Sequence, residues 1–197
     1  MKSKVSSAAL TSKALALAGA IVAACGLASS AAKAVPGCAN TNPNLVTNGG
    51  FETGDFTGWT VGWADTHVLV SSAHPYTGAN HAALGSGSLN TLSQQIAGTT
   101  AGSIYQVCFF LGNAIDGSQD QGTPSTFEVR WNGLPVLTLI DSLPTGYVRY
   151  RLAVRATGND TLSFDHVQVP HFWFLDGVAV QAGTATPFAI TNAAKRP

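Results

Sequence analysis

Past its first 34 residues, the chain never keeps a helical period for more than two turns. What recurs instead is two-residue alternation in short runs, and a period of two belongs to a strand with one face buried. The runs are Leu45–Phe51, Gly58–Val61, His67–Ser72, His81–Leu84, Thr91–Ile96, Ile104–Leu111, Ser125–Trp131, Val136–Ile140, Tyr147–Ala156, Thr161–Val167 and Phe172–Val180. Between them stand Pro75-Tyr76-Thr77-Gly78, the segment Asn113 to Pro124, Asn132-Gly133, Pro144-Thr145-Gly146 and Gly158-Asn159-Asp160. These residues make turns because they tolerate left-handed backbone or fix φ. Asn132-Gly133 between two apolar runs is a strong hairpin signal. Many short strands without an internal repeat predict one all-β domain, a two-sheet antiparallel jelly-roll sandwich.

The first 34 residues belong to a different class. Lys2, Lys4 and Lys13 form a basic start, and Ala14 to Ala28 is an apolar run too short to span a bilayer comfortably. Ala32-Lys33-Ala34 puts small residues where a signal peptidase reads. Residues 1–34 are therefore expected to be a helical signal peptide, cleaved after Ala34. Val22-Ala23-Ala24-Cys25 competes as a lipobox, and cleavage there leaves Cys25 as a lipidated N-terminus. Both routes take the chain out of the cytosol of what the signal suggests is a bacterium. The expected product is secreted, or lipid-anchored through Cys25.

From residue 35 onward six cations face ten acids, a net charge of −4, with no basic run. That argues against a nucleic-acid partner, and no further apolar stretch reaches transmembrane length. Thr, Ser, Asn, Gln and Gly supply the polar surface. Two cysteines remain beside Cys25, Cys38 and Cys108. In an oxidising compartment one disulfide between them is the simplest account; two free thiols, with Cys108 buried as a small hydrophobe, is the alternative. No catalytic pattern stands out. Most of the acids sit in turn contexts, with no acid–base pair. Gly85-Ser86-Gly87-Ser88 lacks the frame of a nucleophile elbow, and the five histidines are scattered. The chain is not expected to be an enzyme.

Alternation also assigns faces. Tyr105, Val107, Phe109 and Leu111 share one face, expected in the core, and Gln106, Cys108 and Phe110 the other. Phe127, Val129 and Trp131 oppose Glu128 and Arg130; Tyr150, Leu152 and Val154 oppose Arg149, Arg151 and Arg155.

Two phrases near the ends carry a family resemblance. The first is Asn44-Leu45-Val46-Thr47-Asn48-Gly49-Gly50-Phe51-Glu52-Thr53-Gly54-Asp55-Phe56-Thr57-Gly58-Trp59; the second is Phe172-Trp173-Phe174-Leu175-Asp176-Gly177-Val178-Ala179-Val180. Together they resemble the opening and closing strands of the galactose-binding-like β-sandwich of CenC-type carbohydrate-binding modules and related bacterial exported proteins. The likeness covers residues 44–182, which leaves 35–43 as a leader and 183–197 as a flexible tail. It implies that the Ile104, Ser125 and Tyr147 strands are neighbours, so that one sheet presents Gln106, Glu128, Arg130 and Arg151 together. It also implies a structural calcium held by Glu52, Asp176 and main-chain oxygens of Gly50 and of the Gly78-Ala79-Asn80-His81 turn, taken here as Asn80. Many relatives carry two adjacent aspartates where this chain has Asp176-Gly177, a departure that weakens the expected site. Sugar recognition calls for aromatic platforms, and Trp63, Tyr76, Tyr147 and Trp173 are the candidates, with Trp59 and Trp131 assigned to the core. The expected ligand-binding set is Trp63, Tyr76, Arg130 and Arg151, with the loop Asn113 to Pro124 as a wall. The implied function is a secreted, non-catalytic carbohydrate-binding protein. The other reading is an extracellular matrix or surface protein that uses the fold for self-association. The chain lacks the sorting tail of some relatives, which is consistent with release or with anchoring through Cys25.

Overall fold

A computed structural model describes Cys38 and residues 42–114, 116–117 and 125–183. The expected signal segment 1–34, most of the expected leader 35–43 and of the 113–124 loop, and the residues beyond 183 lie outside the described residues. Among the described residues there is no helix, and eight strands pair antiparallel throughout. They are β1 (Thr60–Val61), β2 (Val68–Ser71), β3 (His81–Ile96), β4 (Ile104–Gly112), β5 (Thr126–Trp131), β6 (Leu134–Ile140), β7 (Val148–Arg155) and β8 (Asp160–Ala182).

Two long strands organise the molecule. The register between β3 and β8 shifts on either side of Ser86, which divides each strand into two halves. The first half of β3 pairs with β2 and with the second half of β8, through Ala82–Leu175 and Leu84–Trp173. Its second half pairs with β1 and the first half of β8, through Leu92–Phe164 and Ile96–Asp160. β5 and β6 extend the sheet beside the first half of β8, and β4 and β7 beside its second half. The hydrogen-bonded network therefore folds over on itself into two layers. Sheet I runs β6-β5-β8-β3-β1, and sheet II runs β2-β3-β8-β4-β7.

Their inner faces meet in one aromatic core. Phe109 of sheet II lies 5.4 Å from Phe164 and 6.4 Å from Phe127 of sheet I, centroid to centroid. Trp59, Trp131 and Trp173 are all buried there. The alternation predicted for β4, β5 and β7 places Tyr105, Val107, Phe109, Phe127, Val129, Trp131, Tyr150, Leu152 and Val154 in this core. Trp173 is thus a core residue and not a sugar platform, because it pairs with Leu84 on the inward side of the bend.

The opening phrase folds as a turn scaffold. Residues 45–51 are not a strand, but they lie along β8: Leu45 N donates to Val180 O (2.9 Å) and Val178 N to Gly49 O (2.8 Å). The approach is so close that a Cβ on Gly49 would sit 2.1 Å from Val178 O, which explains a glycine there. Asn48, at φ 51°, donates through Nδ2 to Thr53 Oγ1 and to the carbonyls of Asp55 and Thr57. Trp59 Nε1 donates to Asn48 O (3.1 Å), and the Trp59 ring lies 5.8 Å from that of the buried Phe51. Cys38 and Cys108 form a disulfide, Cα–Cα 5.5 Å, that fastens the leader to the outer face of β4.

Candidate functional site

Glu52 and Asp176 are brought together by the turn at 76–80. Asp176 is fully buried, and its Oδ2 accepts from Tyr76 N (2.8 Å) and Thr77 N (2.9 Å). Glu52 accepts from Ala79 N and Asn80 N, each at 3.0 Å. Gly50 lies between them, since a Cβ there would be 3.5 Å from Glu52 Cγ and 3.8 Å from Asp176 Oδ1. Burial pushes the Asp176 carboxyl up to about 6; peptide N–H bonds work against this, and the Glu52 charge adds to it. Among the described residues neither acid is in an ion pair. Two converging carboxylates, one of them buried and costly to ionise, fit a hard, oxygen-seeking cation. No third His, Cys, Asp or Glu joins them among the described residues, so further ligands would have to be main-chain oxygens or water. Asn80 meets Glu52 through its backbone N–H.

The four residues expected to bind sugar separate onto two surfaces. β5 belongs to sheet I and β7 to sheet II, so Arg130 and Arg151 stand on the outer faces of opposite sheets. The expectation that one sheet presents Gln106, Glu128, Arg130 and Arg151 together is therefore corrected: Gln106 and Arg151 belong to sheet II, with Arg149 and Arg155, while Glu128 and Arg130 belong to sheet I. Alternation fixed which side of each strand faces the core, but β8 carries β5 and β4 into different layers. Tyr76 belongs to the sheet II side, stacked on Phe110 (3.7 Å) and edge-on to Tyr147 (5.4 Å). Tyr147 donates its hydroxyl to His74 O (2.8 Å).

Trp63 stands at the β1 edge of sheet I. It is 43% exposed, its indole N–H donates to Leu89 O (3.0 Å), and its carbonyl accepts from the buried Asn90 side chain (3.1 Å). Across the sheet, register places Thr91 beside Asp165, Asp165 beside Glu128, and Glu128 beside Thr138. These side chains form one network. Thr91 Oγ1 donates to Asp165 Oδ1 (2.8 Å), and Thr138 Oγ1 donates to Glu128 Oε2 (2.9 Å). Arg130 bridges the two acids, pairing through Nη2 with Glu128 and through Nε with Asp165 (2.8 Å). Sequence reasoning had Glu128 and Arg130 on one outward face but missed Asp165, Thr91 and Thr138. Their only signal was strand parity, and it becomes informative once the pairing of β3, β5, β6 and β8 is known.

The outer faces of the two sheets differ in access. Along the centre of sheet II, His81, Gln106, Cys108, Phe110, Phe174, Asp176, Ala179 and Gln181 are all buried. On sheet I, Ser163 and Asp165 are buried, Thr91, Ser93, Thr126, Glu128, Arg130 and Val167 remain partly exposed and Thr138 is exposed, whereas on sheet II the exposed positions, Arg149, Ala153 and Arg155, lie on β7.

No protein-family model and no curated protein matches the chain. Solved structures do. A family 16 carbohydrate-binding module superposes with a TM-score of 0.54 at 16% identity, over 70% of this chain and 99% of that one. The TmCBM61 module in complex with β-1,4-galactotriose gives 0.52 at 20% identity, over 71% and 99%. The CBM22-1 xylan-binding domain of Paenibacillus barcinonensis Xyn10C gives 0.51 at 15% identity, over 75% and 99%. The chain has the antiparallel β-sandwich fold of these carbohydrate-binding modules. The outer face of sheet I carries a partly exposed row of hydroxyl, carboxylate and guanidinium groups, with Trp63 at its β1 edge. No helix among the described residues is long and apolar enough to cross a membrane.

Proposed function

We propose that the protein is an exported, non-catalytic carbohydrate-binding protein that takes glycan on the outer face of sheet I and holds a structural calcium at Glu52 and Asp176. One observation carries the glycan reading. An exposed tryptophan, held by its own N–H and by Asn90, stands at the β1 edge of the sheet whose outer face carries a partly exposed row of hydroxyl, carboxylate and guanidinium groups. The C–H face of a sugar ring packs on an indole, while its hydroxyls need both donors and acceptors beside it. The calcium reading is supported by the buried Asp176 carboxylate, which has Glu52 beside it and no ion-pair partner among the described residues.

A glycan array probed with the processed protein, with and without calcium, tests the proposal: binding to a defined glycan is expected, and a blank array would overturn it. For the ion, a native-state ligand at a hundredfold excess over its dissociation constant stabilises by about 2.7 kcal/mol. Calcium should therefore raise the melting temperature by several degrees, with chelator reversing the rise and Glu52→Gln or Asp176→Asn removing it.

One observation favours the assembly reading. Among the described residues β6 is an edge strand that pairs only with β5; it carries no charged residue, and Leu134 and Ile140 are 70% and 66% exposed. Uncharged edges invite pairing. Concentration-dependent association abolished by Ile140→Lys, together with a blank array, would favour this reading over glycan binding.

A further inference from the structure

The charge arrangement on the outer face of sheet I points to the class of its ligand, an inference that rests on the glycan reading above. We propose that this face selects uncharged glycans and rejects those bearing uronate, sulfate or phosphate groups.

Arg130 is the cation of this face. Its Nη2 pairs with Glu128, its Nε lies 2.8 Å from Asp165, and its Nη1 donates to Gly133 O (2.9 Å). Thr91 and Thr138 close the two ends of the chain Thr91–Asp165–Arg130–Glu128–Thr138. Two carboxylates thus stand against one guanidinium, which leaves the row one negative charge in excess. The described residues contain no lysine, and the other three described arginines, Arg149, Arg151 and Arg155, lie on β7 in the other sheet. An anionic sugar laid on this row meets more negative than positive charge, and its own charge loses water without gaining a cation. A neutral sugar avoids both costs. Its hydroxyls can donate to lone pairs left on the partly exposed Glu128 and accept from the remaining Arg130 N–H groups and from the Ser93 and Thr126 hydroxyls, both partly exposed on the same face. Rejection by unmatched charge is a common route to specificity.

The same arrangement predicts weak salt dependence, because no net charge pair forms between ligand and protein. The test is affinity gel electrophoresis of the secreted protein in neutral galactan, mannan and β-glucan, and in polygalacturonate and alginate, at low and at physiological salt. At least one neutral polysaccharide is expected to retard the protein equally at both salts, with the polyuronates bound about tenfold more weakly or not at all. Polyuronate binding equal to or stronger than neutral binding, and fading with salt, would overturn the selectivity while leaving glycan binding intact. Failure to bind any polysaccharide would overturn the glycan reading itself. In the Glu128→Gln variant, checked for folding by its melting curve, Arg130 loses one of its two counter-charges, and polyuronate affinity should rise severalfold. A folded variant that still excludes polyuronate would show that the carboxylates do not set the selectivity.

Discussion

A methyl group on Gly78 would lie 2.3 Å from Glu52 Oε1, on a backbone held at φ 72°. Gly78→Ala therefore adds a clash to a left-handed conformation that side chains disfavour. The expected cost is about 1–3 kcal/mol, and the calcium-dependent rise in melting temperature should vanish with the carboxylate geometry. A melting curve like the parent's, with calcium response intact, would show that the turn does not set the clamp. His81 and His166 are buried without a hydrogen-bond partner on several ring nitrogens among the described residues, and burial brings both down to about 4. Their unfolded value is near 6.5, so the neutral rings favour the fold above that pH, and this stability drains as pH falls from about 6.5 to about 4. Asp176 has the opposite sign. Raised from 3.8 to about 6, it costs stability as pH rises through that window. Two rings outweigh one carboxyl, so the melting temperature should drop between pH 6.5 and 4, and His166→Gln should flatten the drop. An unchanged profile in that variant would contradict the assignment. The tryptophans make the residue scale legible only in part. Trp59 and Trp131 were placed in the core by their neighbours, and the structure agrees. Trp63 and Trp173 both read as candidate platforms; the register of β3 with β8 buries Trp173, whereas Trp63 ends 43% exposed. Trp63→Ala should abolish glycan binding with a melting temperature within a few degrees of the parent, whereas Trp59→Ala should cost about 3–5 kcal/mol. A badly destabilised Trp63 variant would reverse that assignment.

At the scale of elements, most strands were legible because one buried face imposes alternation. Ile104–Leu111, Ser125–Trp131 and Tyr147–Ala156 became β4, β5 and β7 with the predicted inward residues. His81–Leu84 and Thr91–Ile96 are the two halves of β3, and Thr161–Val167 and Phe172–Val180 the two halves of β8. They read as separate strands because Gly85-Ser86-Gly87-Ser88 and Pro170 interrupt the alternation where each strand passes from one sheet to the other. This handover was not legible, and it is what separates Arg130 from Arg151. Nor was the opening phrase legible as a turn. Its apolar residues suit a strand, but the left-handed Asn48 and Phe51 turn the chain away. Phe110 and Cys108 were assigned by parity to an outward face; they are outward from the sheet yet buried, because Tyr76 and the Cys38 leader cover them.

At the scale of the whole molecule, one covalent link on sheet II and the polar outer face of sheet I define the account. The disulfide spans a sequence separation of 70 residues. A loop of that length contributes roughly 4 kcal/mol in the chain-entropy model. Replacing Cys38 and Cys108 together by alanine should therefore lower the melting temperature by roughly ten degrees. Glycan affinity should be unchanged, because the link lies on the outer face of sheet II; a loss of binding in the folded double variant would place the ligand on that side. The most direct test of the central claim is a map of where glycan touches the protein. In nitrogen–proton correlation spectra of the labelled protein, titrated with a glycan that the array identifies, the largest shifts should fall on the Trp63 indole N–H, the Arg130 Nε–H, and the backbone amides of Thr91, Glu128, Thr138 and Asp165. Shifts confined instead to Tyr76, Tyr147, Arg149 and Arg151, on the side of sheet II, would contradict the account.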